Sequence, residues 1–177
     1  GMTNEAITVN GKGVFVVTPA WEAAQDLSVV TYYPNRWMTG ERELTNLMVV
    51  SSSDKNGNPS MNSNYGAKEV DLYAPGMDIY STYTGDTYQN GTGLGLAAAT
   101  TVGVAALIKA YYPHLTGTQI RNILLETVTS RKDAEVEKGI VVDGKPTRDL
   151  FLFGDLCLSG GIINAYQAVV AADKIAK

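Results

Sequence analysis

From Leu96 to Ile108 the chain carries no charge, and Ala, Val, Leu, Ile, Gly and Thr fill every position. Ala97-Ala98-Ala99 favours helix, and Gly103 removes a side chain where another backbone can come close. Glycines at 91, 93 and 95 open the segment as a turn, Lys109 is its first charge and Pro113 closes it. A helix apolar all round is predicted to lie buried in the middle of a domain. It is too short and too small-residued for a membrane span, which takes about 20 predominantly apolar residues.

Short apolar runs precede it. Residues 14–17 (Val-Phe-Val-Val) lack alternation, the mark of a strand covered on both faces. Residues 47–50 read as a second buried strand and 70–74 as a third, ended by Pro75-Gly76. Residues 79–82 form a short extended piece. Residues 4–9 read as the end of a helix with 10–13 as its turn-rich exit, and 18–26 as irregular. Residues 27–46, with Tyr32-Tyr33-Pro34-Asn35-Arg36-Trp37, read as an ordered loop, and 54–59 as a turn.

Beyond the central segment, Thr116 is placed as an N-cap with Gln119 at the capping-box position. The helix it opens, 119–128, repeats Ile120, Ile123, Leu124 and Val128 at helical spacing. Residues 131–138 read as a charged, solvated loop and 149–158 as extended. Gly160-Gly161 reads as the start of a last amphipathic helix, 162–175. Strands mixed with helices predict an α/β architecture.

Composition narrows the chemistry. At 177 residues the chain fits one domain. A net charge of −4 gives no basic footprint for nucleic acid and no polybasic membrane anchor. The one cysteine, Cys157, excludes an internal disulfide framework and reads as a small buried hydrophobe. The one histidine, His114, cannot build a multi-histidine metal site and reads as a turn residue. No metal or cofactor is expected. No secretory signal is visible, and Gly1-Met2 looks like a tag remnant.

Two motifs invite a ligand and do not hold one. Gly91-x-Gly93-x-Gly95 lacks the dinucleotide spacing, and no acidic strand end follows some 20 residues on, as that fingerprint requires. Asp54-x-Asn56-x-Asn58 starts like a calcium loop, but Pro59 stands where glycine is needed and Tyr65 where a bidentate Glu should be.

Together, these pieces resemble the C-terminal half of a subtilisin-like serine peptidase (a subtilase, peptidase family S8). Residues 14–17 resemble the strand leading into the family's Ala-Gly-Asn oxyanion segment. Val70-Asp71-Leu72-Tyr73-Ala74-Pro75-Gly76 resembles its Asp-x-x-Ala-Pro-Gly motif. Residues 103–108 with Tyr112-Pro113 resemble the catalytic helix and its exit, and Gly161-Ile162-Ile163-Asn164-Ala165 the box of the last helix. The resemblance implies a subtilisin-like three-layer α/β/α fold. The part present would be the C-terminal one, a mainly parallel sheet around a buried central helix, in a single truncated domain over residues 1–177.

The catalytic positions depart from the family. Counted back without gaps from Gly103, the family's Gly-Thr-Ser-Met-Ala nucleophile motif falls on residues 93–97, with Gly95 at the nucleophile. A shifted register puts Gly93 there instead. The oxyanion Ala-Gly-Asn falls on Ala20-Trp21-Glu22, so a carboxylate, which only accepts hydrogen bonds, replaces an amide donor. The family's Asp and His segments should precede Val14, and residues 1–13 contain no His.

The expectation is a catalytically inactive subtilase homologue, a pseudopeptidase or remnant, with Trp21, Glu22, Gly93 and Gly95 as a vestigial cleft. Two alternatives stand beside it. One is half of a split subtilase completed by a missing N-terminal half. The other is a self-associating module, a homodimer or a peptide binder. Neither nucleic acid nor membrane is expected as a partner. The family is often exported, which leaves the compartment open here.

Overall fold

The computed structural model describes residues 8–9, 12–38 and 42–175. β1 (Thr8–Val9) and β2 (Lys12–Gly13) form a short antiparallel ladder. Thr8-Val9 is therefore strand and not the expected helix end, whose remaining residues, 4–7, lie outside the described ones, as do Asn10 and Gly11 of its exit. β3 (Val16–Pro19) starts two residues later than the pattern predicts. The loop that follows holds one small ladder, β4 (Trp37–Met38) with β5 (Arg42–Glu43). β6 (Leu47–Ser53) is buried along its whole length, and β7 (Leu72–Pro75) falls within the third predicted run but for Pro75.

β8 (Ile79–Tyr83) turns back into β9 (Thr87–Gly91), so Gly91 ends a strand and the glycine turn shrinks to residues 92–93. The central helix is α1 (Leu94–Tyr111). α2 (Gly117–Glu126) carries the predicted capping box in full: Thr116 Oγ1 accepts from the Gln119 N–H, and Gln119 Oε1 accepts from the Thr116 N–H at 2.8 Å. β10 (Thr129–Ser130) precedes a long hairpin, β11 (Glu135–Val142) with β12 (Lys145–Leu152), and a single 3₁₀ turn. Gly160-Gly161 does not start the last helix. Gly161-Ile162 is β13, and α3 (Ala165–Ile175) follows it. β13 needs glycine, since a Cβ at Gly161 would lie 2.6 Å from the Thr129 carbonyl of its partner strand.

The main sheet runs β10-β13-β7-β6-β3. Its pairings are parallel except for β10 with β13. Met48 and Val50 of β6 point to one face, where α1, α2 and α3 bury Ile108, Ile123 and Ala168 against them. Leu47 and Val49 point to the other, covered by Tyr65, Val136, Phe153 and Leu156. Burial on both faces explains why these strands read as unbroken apolar runs. This is the α/β architecture expected, with one helical layer on the sheet among the described residues.

Two expectations about burial fail. α1 is apolar all round but only half covered. Leu94, Ala97, Thr101, Val104, Ala105 and Ile108 pack inward, while Ala99, Val102, Gly103, Ala106, Leu107 and Ala110 form an exposed stripe. It is also long and apolar enough to cross a membrane, against the expectation that it is too short, although its packing on the sheet is that of a core helix.

The charged loop expected at 131–138 is the second failure. Much of it is strand, and Lys138 is fully buried. Its Nζ donates to the carbonyls of Ser63 (2.6 Å) and Met61 (3.0 Å) and sits 5.4 Å from the Tyr65 ring centroid. Burial lowers its pKa to about 7. An unfolded chain binds that proton up to its ordinary value of 10.5, so Lys138 makes stability rise with pH above about 7, until the Cys157 thiol, whose pKa burial raises from 9.0, begins to oppose it near pH 9. Between about pH 7 and 9 the unfolding free energy from urea titrations should climb by roughly 2–3 kcal/mol, and Lys138→Met should flatten the climb.

Candidate active-site cleft

The cleft lies where β3 and β7 end. After Pro19, the Ala20 N–H donates to the Val50 carbonyl, and the chain leaves the sheet at Trp21 with φ of 67°. A bulky side chain is strained in that left-handed region. The loop around Asn64 holds the segment there. Asn64 Oδ1 accepts from the Ala23 and Gln25 N–H groups at 3.1 and 3.0 Å, and its own N–H donates to the Trp21 carbonyl. Glu22 bridges Ser63, which Lys138 holds through its carbonyl. None of these partners is near in sequence, so no local pattern announces them.

The start of α1 is set against the same corner. The Gly93 N–H donates to the Gly76 carbonyl at 2.8 Å, and Thr100 Oγ1 donates to the Pro75 carbonyl. Gly76 permits this approach, because a Cβ there would meet Gly93 O and Ala97 at 2.9 Å. No side chain caps α1 from its own N-cap residue, Gly93. The cap comes from across the cleft: Glu22 Oε1 accepts from the Leu94 N–H at 3.2 Å. A carboxylate at a helix N-terminus is favourable by about 0.3–1 kcal/mol.

The structure thus brings Glu22, Gly93 and Gly95 together, with Trp21 on the rim, half exposed and stacked on Tyr32 at 6.3 Å between ring centroids. A Cβ at Gly95 would find nothing within 4 Å, so the position opens onto free space.

A sequence model of the Subtilase family matches residues 8–142. The chain belongs to the subtilase family. Among its relatives, subtilisin BL of Lederbergia lenta is 36% identical over 124 residues, covering 70% of this chain and 42% of that protein. A thermostable alkaline protease of Halalkalibacterium halodurans is 38% identical over 97 residues, 55% of this chain and 25% of that protein. A structure of the subtilase cytotoxin SubAB superposes with a TM-score of 0.68 at 18% identity, over 92% of this chain and 50% of that one. A protease of Pseudoalteromonas arctica does so at 0.63 and 27%, over 89% and 42%. This subtilase sequence therefore spans half or less of the length of each of these.

Elsewhere the remaining sequence candidates resolve into structure. Asp54 Oδ1 accepts from the Asn56 and Asn58 N–H groups at 2.8 Å, an Asx turn. Slight burial works against that carboxylate's charge, but hydrogen bonds from Asn58, Asn56 and Gly57 hold its pKa below the usual value. Cys157 is buried, and burial pushes its thiol up. His114 is exposed after the helix exit. Among the described residues no group of three or more His, Cys, Asp or Glu could hold a metal ion.

No sequence motif announces the ion cluster around Asp71. Asp71 accepts from Arg36 and, at 2.7 Å, from Arg121, while Glu43 pairs with both arginines. No spacing rule links positions 36, 43, 71 and 121.

Proposed function

We propose that this subtilase domain is catalytically silent and keeps its cleft for binding. The observation that carries the reading is the Glu22–Leu94 hydrogen bond at the helix end where, by the family resemblance, an oxyanion would be stabilised. A resident carboxylate fills the anion's place and repels a second one, while Gly95 beside it has no side chain to attack with. The test is turnover: a fluorogenic peptide library incubated with the domain should show no cleavage above buffer. Sequence-specific cleavage that survives repurification would reject the reading.

A second reading concerns the open faces. We infer that the exposed stripe of α1 and the edge of β3, which pairs with no second strand among the described residues, are covered by the complementary half of a subtilase sheet, in the same polypeptide or a separate one. Two observations favour it: the stripe is continuous from Ala99 to Ala110, and the relatives are at least twice the matched length. A bare strand edge beside an apolar helix face invites association. Light scattering after size exclusion should show a one-to-one complex with a relative's N-terminal half. Val102→Glu with Leu107→Glu should weaken that complex about a hundredfold or more. A homodimer that excludes the added half would show instead that a second copy is the occupant.

A further inference from the structure

We propose that the cleft takes a basic side chain, lysine or arginine, of an extended peptide, in the cavity beside Trp21. The proposal rests on the binding role inferred above and names its ligand. The cavity holds about 240 Å³ and is lined by Trp21, Tyr32, Pro34, Trp37 and Glu69 among others. Its aromatic walls are fixed in place. Tyr32 donates its hydroxyl to Gln25 Oε1 at 2.7 Å, and Asn35 ties the Tyr32 carbonyl to the Trp37 N–H.

Aromatic faces attract cations, tryptophan most strongly. One ring already does so here: the Arg36 guanidinium lies 5.3 Å from the Trp37 centroid. The charge of Arg36 is matched by Asp71 and Glu43, so it leaves no positive excess in the wall. Glu69 is different. Among the described residues it has no ion-pair partner, and it lines the cavity. Aromatic walls with a carboxylate that no cation pairs suit a cation and not an acidic or plain aliphatic group.

The tryptophans make the test direct. The chain has two, and both line this cavity, so intrinsic fluorescence reports its occupancy. A capped pentapeptide Ala-Ala-Lys-Ala-Ala and its arginine counterpart should shift the emission in a saturable way below millimolar concentration. The norleucine analogue, which keeps the methylenes and loses the charge, should bind about tenfold more weakly or worse. Glu69→Gln should weaken the lysine peptide by a similar factor. Trp21→Gly should abolish the preference while folding normally, because a φ of 67° suits glycine. Equal binding of the norleucine peptide, or no response to any of the three, would overturn the proposal. The mass of the recovered peptide separates this from the silent-domain reading: a cleaved peptide would break that reading and leave the pocket standing.

Discussion

Replacing Asp71 with Ala should destabilise the domain by about 3–5 kcal/mol, the range found when one member of a buried ion pair is removed. Asp71 is fully buried, and its carboxylate also accepts from the Val49 N–H at 2.7 Å. Arg36 and Arg121 are almost as buried, and Glu43 is the only other carboxylate among the described ion pairs that faces them. Two positive and two negative charges thus balance at the junction of β7, α2 and the 27–46 loop. Without Asp71 a net positive charge is stranded out of water. A domain of this size has roughly 5–15 kcal/mol in hand, so the loss is a large share of the whole. Urea unfolding measures it directly. Asp71→Asn, which keeps the shape and an acceptor, should cost less than the alanine variant. A loss below about 1 kcal/mol in the alanine variant would mean that the cluster is not holding this corner together.

The other large effect is chemical. Supplied with a relative's N-terminal half that brings Asp and His, the wild-type domain should still not turn over peptides. In subtilisin, removing the nucleophile or the base costs on the order of 10⁶ in kcat. Gly95→Ser restores a hydroxyl at a position where a Cβ meets nothing within 4 Å, so it should fold. It also replaces a helical glycine with a better helix former. Glu22 would still face the developing anion. Exchanging it for Asn should therefore raise kcat by roughly 10²–10³ above the single variant, the worth of one oxyanion donor. Gly95→Ser alone reaching the rate of the double variant would show that Glu22 does not block the site.

The sequence made legible what local physics dictates. Residues 47–50 lie in β6 and 72–74 in β7, parallel strands that read as apolar runs because neither face needs polarity. Thr116 and Gln119 meet within one turn, so the capping box is a local fact. The order of the family motifs was enough for the fold.

Long-range contacts stayed hidden. Lys138 looked solvated because a charge usually is; its cradle of carbonyls comes from residues 61 and 63, across the fold. α1 looked buried all round because periodicity cannot say which of two apolar faces lacks a neighbour. Glu22 stands out in the sequence at the position that the family resemblance gives to the oxyanion donor, but not as the acceptor that caps α1. That depends on where Gly76 lets the helix start.

Intact mass after exposure to a serine-reactive phosphonate tests the proposed silence of the site most directly. The domain, alone and in complex with a relative's N-terminal half, should keep its unmodified mass. One stoichiometric adduct on this chain, mapped to a single residue at the start of α1, would contradict the account.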